Sequence, residues 1–218
     1  MPRLDRFSAR LLAAMDRWRS VCVLPLGLAY RATTERETID ADCRQWLAVL
    51  GCDDGAHGLH SLLYAFGEFR ALFYYRLARG NPTGALLGRL MRQVWRPTPT
   101  LELATPEIGS GLFIAHGLGT TVAAERIGRN CYVHQGVTVG WDYRSTRAPV
   151  IGDGVFIGAG AKVLGAVTVG DGARIGANAV VLCDVPAGAT AVGMPARIVA
   201  AEFRNDTSAG KSYAMKVD

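Results

Sequence analysis

At 218 residues, half of them hydrophobic and a fifth charged, the chain has room for one good-sized domain and an appendage, and this composition excludes disorder and a membrane-embedded class. The formal charge of +5 is uneven, with 14 arginines against 9 acids in residues 1–97 and 10 basic against 10 acidic residues in 98–218. No aromatic–basic interleaving accompanies the arginines, so they read as a solvated helical face and not as a nucleic-acid surface.

Leu4, Phe7, Leu11, Leu12 and Met15 lie on one stripe with arginines elsewhere, the pattern of an amphipathic helix. The run from Val21 to Tyr30 is about half a bilayer span and is broken by Pro25, and no cleavage-site pattern accompanies it. Neither a secretion signal nor a transmembrane segment is expected. Further helices are predicted over about 40–50, 59–79 and 84–95, stopped by Gly51, by Gly80-Asn81-Pro82 and before Pro97. His57 and His60 read as solvated or capping residues on the approach to the second of these. Arg96 to Thr100 divides an N-terminal helical region, 1–97, from the rest of the chain.

Beyond that boundary the periodicity changes. Ile151, Ile157, Val163, Val169, Ile175 and Val181 recur every six residues, followed by Gly or Leu and, four positions on, by Val or Ala. The register continues upstream through Val139, Val133 and Ile127 and, after a one-residue slip, through Ile114 and Ile108. A six-residue period belongs to neither a helix nor a simple alternating strand. It specifies a mainly β fold, a parallel β-helix over residues 98–202, with about three hexapeptides to each coil of a triangular prism. The aliphatic residue points inward and the small one fits the narrow interior. Residues 203–218 lack the repeat and read as a mobile tail. Five cysteines, odd in number and without a C-x-x-C pair, favour reduced thiols and a cytoplasmic setting.

Two interruptions of the repeat draw the eye. Gly140 to Val150 replaces it with a polar and aromatic loop, and the slip falls around His116-Gly117-Leu118-Gly119. His116 and His134 lie 18 residues apart, about one coil. A catalytic zinc needs three neutral imidazoles and an open position, and the solenoid supplies two at different repeat positions, so no metal site is expected. His116 suits a general base instead: its imidazole can take the proton of an acceptor hydroxyl as that oxygen attacks a thioester carbonyl.

The blocks Glu68-Phe-Arg-Ala-Leu-Phe-Tyr-Tyr-Arg-Leu, Ile108-Gly-Ser-Gly-Leu-Phe-Ile-Ala-His-Gly, Gln135-Gly-Val-Thr-Val-Gly, Ile157-Gly-Ala-Gly-Ala-Lys-Val-Leu-Gly and Val192-Gly-Met-Pro-Ala-Arg-Ile-Val resemble the serine acetyltransferases over roughly residues 60–200. The resemblance implies a homotrimer of left-handed parallel β-helices with acetyl-CoA in the groove between neighbouring prisms. The helical region could pair two trimers into a hexamer. It implies His116 as the catalytic base. It implies Gly140, Ala159, Arg174, Ala177 and the Arg197 cap as the acetyl-CoA-binding positions.

The departures matter as much. Where the family carries an aspartate before the catalytic histidine this chain has Ala115, and where the loop carries Arg-His-Pro it has Arg147-Ala148-Pro149. The acidic partner of the base is matched by Leu101, leaving the adjacent Glu102 as a substitute that could orient His116. A zwitterionic amino acid without its carboxylate partner is costly to hold. These features favour a sugar or glycan hydroxyl as acceptor, as in polysaccharide modification, with Arg147 orienting it and Trp141 and Tyr143 packing on the ring. Serine O-acetylation remains the alternative, and a catalytically idle trimeric scaffold a third reading. The family's docking of a sulfhydrylase through a C-terminal isoleucine is not expected from an end reading Lys216-Val217-Asp218.

Overall fold

The computed structural model describes residues 22–52, 58–142 and 146–199, and these fall into two compact units. The first holds α1 (Leu24–Ala32), α3 (Gly58–Ala65), α4 (Gly67–Arg79) and α5 (Pro82–Val94). The second holds the strands and, from Glu37 onward, α2 (Arg36–Leu50). The helical stretch before residue 98 is thus divided, with residues 37–53 grouping with the solenoid. The expected helix over residues 4–15, His57 and the tail from residue 203 lie outside the described residues. Among the described residues no helix is long and apolar enough to cross a membrane.

The helices depart from the sequence expectation in two places. Pro25 sits in the first turn of α1, where its missing N–H costs nothing, so the apolar run is helical from Leu24. The single helix expected over 59–79 breaks at Phe66, which is extended (φ −114°, ψ 113°). Arg70 repairs the break by donating to the carbonyls of Leu63 and Tyr64 at 2.7 and 2.9 Å, two acceptors the end of α3 leaves open. His60, read from the sequence as solvated or capping, is half-buried beside Gly27.

The solenoid has three faces. The first stacks β1 (Leu101–Leu103), β4 (Thr120–Val122), β7 (Thr138–Gly140), β10 (Lys162–Leu164) and β13 (Val180–Val181). The second stacks β2 (Glu107–Ile108), β5 (Arg126–Ile127), β8 (Val150–Ile151) and β11 (Thr168–Val169). The third stacks β3 (Phe113–Ala115), β6 (Tyr132–His134), β9 (Phe156–Ile157), β12 (Arg174–Ile175) and β14 (Thr190–Val192), closed by β15 (Arg197–Val199), which is antiparallel to β14. Every other pairing is parallel and in register, so Ile114, Val133, Ile157, Ile175 and Ala191 form one buried inward column. Burial of such side chains contributes about 1.5–3 kcal/mol each and is the main term holding the coils together. Close stacking limits what the corners tolerate: a Cβ on Gly158 would stand 2.7 Å from the Ala177 nitrogen.

Outside the third face runs a second column. Phe113 and Tyr132 stand with ring centroids 5.8 Å apart, Tyr132 and Phe156 6.4 Å apart, and the Arg174 guanidinium lies 4.5 Å from the Phe156 ring. The helix α2 covers its upper end. Trp46 packs 4.7 Å from Phe113 and donates its Nε1–H to the Leu112 carbonyl, Gln45 donates to the Tyr132 hydroxyl, and the buried Asp42 accepts the Gly111 N–H at 2.6 Å.

Candidate active site

The slip around His116 resolves into two unequal steps. Eight positions separate the inward residues Ile114 and Val122, where the repeat has six, and only five separate Val122 from Ile127. The long step makes the corner after β3 bulge, and His116 occupies it, exposed, with φ +50°. A non-glycine residue in the left-handed region is uncommon, and such positions concentrate at functional sites. Three hydrogen bonds brace the bulge. Thr100 accepts from Gly119 N–H through its hydroxyl (3.0 Å) and from Thr120 N–H through its carbonyl (3.1 Å), and the Leu118 carbonyl accepts from Gly136 N–H (2.9 Å).

His134 stands one coil on, register-paired with Ala115, beside His116. Its ring packs 5.0 Å from Phe156 and is half-buried. Burial pushes its pKa below the usual imidazole value, and the neighbouring His116 charge pushes the same way. Lys162 donates to the Gly136 carbonyl at 2.5 Å on the same corner.

Along this edge, between the third and first faces, the structure lines up His116, Gln135, Ala159 and Ala177 on successive coils. Backbone bonds from Gly160 N–H to Gln135 O and from Asn178 N–H to Ala159 O, both 2.8 Å, tie the coils. Ala159 and Ala177 add little bulk, which leaves the edge open there for an elongated ligand, and Arg174 flanks it from the third face. These residues fit an acyl carrier with an anionic end. Arg197, at the start of β15, is exposed at the end of the same face.

Other expected site residues lie elsewhere. Glu102 is exposed in the middle of β1, opposite Thr121, and makes no hydrogen bond with His116. Gly140 is buried at the end of β7, and Trp141, 51% exposed, opens the loop on the edge between the first and second faces. Arg147 closes that loop and is held by Glu125 at 3.3 and 3.4 Å, which raises its pKa through the hydrogen bond and the charge together. Tyr143 lies outside the described residues. Within one chain, then, His116 and the described loop residues Gly140, Trp141 and Arg147 occupy different edges of the prism. Sequence reading missed Thr100 and Glu125, whose partners lie 19 and 22 residues away on neighbouring coils. It could have found the aromatic column, since Phe113, Tyr132 and Phe156 each immediately precede an inward residue. Among the described residues no group of three or more His, Cys, Asp or Glu is placed to hold a metal ion.

Residues 148–183 match the bacterial transferase hexapeptide family (six repeats). A serine acetyltransferase of Staphylococcus xylosus is 39% identical over 169 residues, covering 76% of this chain and 73% of that one. This chain belongs to the serine acetyltransferase family. It is an acyltransferase by that membership. The fold agrees: the Neisseria gonorrhoeae serine acetyltransferase solved in complex with serine superposes with a TM-score of 0.58 at 32% identity, over 81% of this chain and 73% of that one. A serine acetyltransferase solved in complex with CoA gives a TM-score of 0.60 at 33% identity, over 80% of this chain and 74% of that one.

Proposed function

We propose that the chain transfers the acetyl group of acetyl-CoA to the hydroxyl of L-serine, and that it does so as a homotrimer. The observation that carries the reading is the left-handed His116 on an edge kept bare by Ala159 and Ala177, in a chain 39% identical to a serine acetyltransferase. That likeness moves serine ahead of the sugar acceptor that the loop residues suggested. The His116 imidazole takes the hydroxyl proton as the oxygen attacks the thioester carbonyl carbon. The carbon–sulfur bond then breaks, and the imidazolium returns its proton to the departing thiolate. Ala159, Ala177 and Arg174 hold the CoA arm, with Gly140 near the thioester and Arg197 at the nucleotide end. Because His116 and the loop of Gly140, Trp141 and Arg147 lie on different edges, a site using both takes them from two chains. The exposed thiols of Cys52 and Cys183 suit a reducing, cytoplasmic compartment.

A sugar hydroxyl is the second reading, favoured by Ala115 and the buried Ala148, neither of which can meet an ammonium or carboxylate, and by the exposed Trp141 face. Thiol release from acetyl-CoA, measured with L-serine and with a panel of sugars, separates the two. Serine-dependent release supports the first reading, and release with a sugar alone replaces it with the second. Failure to bind acetyl-CoA at all would sink both and leave a scaffold.

A further inference from the structure

The helix α5 is turned the wrong way round for an amphipathic helix. Its leucine stripe faces solvent, with Leu86 58%, Leu90 54% and Val94 69% exposed at four-residue intervals. Its packed side is glycine: Gly84 abuts Thr33, and a Cβ on Gly88 would stand 2.9 Å from the Leu77 methyl. The helix therefore seats closely on α4 and on the end of α1 through its glycines, with Leu87 and Met91 half-buried and the stripe of Leu86, Leu90 and Val94 left outside the contact. The adjoining α1 does the same with Leu24 and Leu28, 55% and 61% exposed at i and i+4. An amphipathic face normally turns toward a core, so five exposed aliphatic residues on two packed helices call for a partner.

The charges say which. Arg89 and Arg92 are exposed on α5 beside the stripe, Arg96 follows it, and Arg31 is exposed on α1. No acidic residue occurs from Phe69 to Leu101 or from Arg17 to Thr34. A second copy of the chain docking across a two-fold axis would set arginine against arginine with no carboxylate from either segment between them. An anionic bilayer supplies both missing halves, an apolar layer for the leucines and negative headgroups for the guanidinium groups. We propose that the outward faces of α1 and α5 lie in the plane of an anionic lipid surface, so that the enzyme is a peripheral membrane protein. The inference does not depend on which acceptor the active site takes.

The test is flotation of the full chain with vesicles of phosphatidylglycerol and phosphatidylcholine, and with vesicles of phosphatidylcholine alone. Binding to the anionic vesicles is expected, weakened by 0.5 M salt as screening requires, at least about tenfold above the neutral ones. Leu86→Gln/Leu90→Gln should abolish it, and Arg89→Gln/Arg92→Gln should weaken it. Both double variants change exposed side chains, and unaltered melting curves and acetyl transfer in vesicle-free buffer will show that they fold. Equal binding to both vesicle types, or none, overturns the proposal. A fall in particle size for the leucine variant, with no vesicle binding by the parent chain, assigns the face to a second copy instead.

Discussion

His116 is held at φ +50° by a corner that has two residues more than the repeat allows, and that conformation separates shape from chemistry in a substitution. Asparagine tolerates the left-handed region at least as well as histidine, as Asn130 and Asn178 do here, so His116→Asn should keep the corner while removing the base. Acetyl transfer, read as thiol release, should fall by about 10²–10⁴-fold with the melting temperature little changed, since that is the usual contribution of a general base. Retained activity would remove His116 from the mechanism. His134 gives a pH signature. Its pKa is lowered in the fold, mainly by burial and then by His116, with the Arg174 guanidinium also near across the Phe156 ring. The unfolded chain therefore takes up a proton near the ordinary value of 6.5 while the folded chain still refuses it. Stability should be level above that pH and decline below it, and His134→Gln should flatten the decline in melting curves between pH 7.5 and 5. Parallel curves for the two proteins would contradict the assignment. His116 stood out in the sequence as the histidine beside the break in the repeat, and Ala159 and Ala177 through the resemblance to the serine acetyltransferases. Thr100 and Glu125 were not legible, because hydrogen bonds between neighbouring coils leave no local pattern.

At the scale of elements, the six-residue period named the inward residues from Ile127 to Val181 and, past the slip, Ile108 and Ile114, and it missed Val122 and Ala191, which continue the columns at either end. It could not say how long each corner is, because an outward bulge leaves the inward residues hydrophobic at either end. Nor could it say that α2 belongs with the strands. An amphipathic helix shows its apolar stripe in sequence but not the surface that stripe meets. Here the surface is the aromatic column, and Trp46 is the anchor, 1% exposed and hydrogen-bonded to Leu112. Trp46→Ala removes ring packing and the bond together and should cost about 3–5 kcal/mol in denaturant unfolding. The solenoid column beneath should survive in the variant, with its β signal in circular dichroism intact. A loss below about 1 kcal/mol would mean that α2 is only loosely seated.

For the whole molecule, the placement of His116 and the loop on different edges makes an arithmetic prediction. A protein carrying His116→Asn and another carrying Arg147→Ala with Trp141→Ala should each be inactive alone. Co-assembled at random in equal amounts in the proposed trimer, every mixed trimer would carry one junction that combines an intact histidine with an intact loop, and activity should return to about a quarter of the parent's. A site complete within one chain gives no recovery. The grouping of α2 with the solenoid also bears on how the chain is made. Asp42 and Trp46 leave the ribosome 69 and 66 residues ahead of Gly111 and Leu112, their partners. At ordinary rates of synthesis that gap lasts about 3–14 s. During that interval a tryptophan and a carboxylate wait, wetted, for a platform that has not yet been translated, and the first coil can be sealed only from behind, by a helix already waiting at its side.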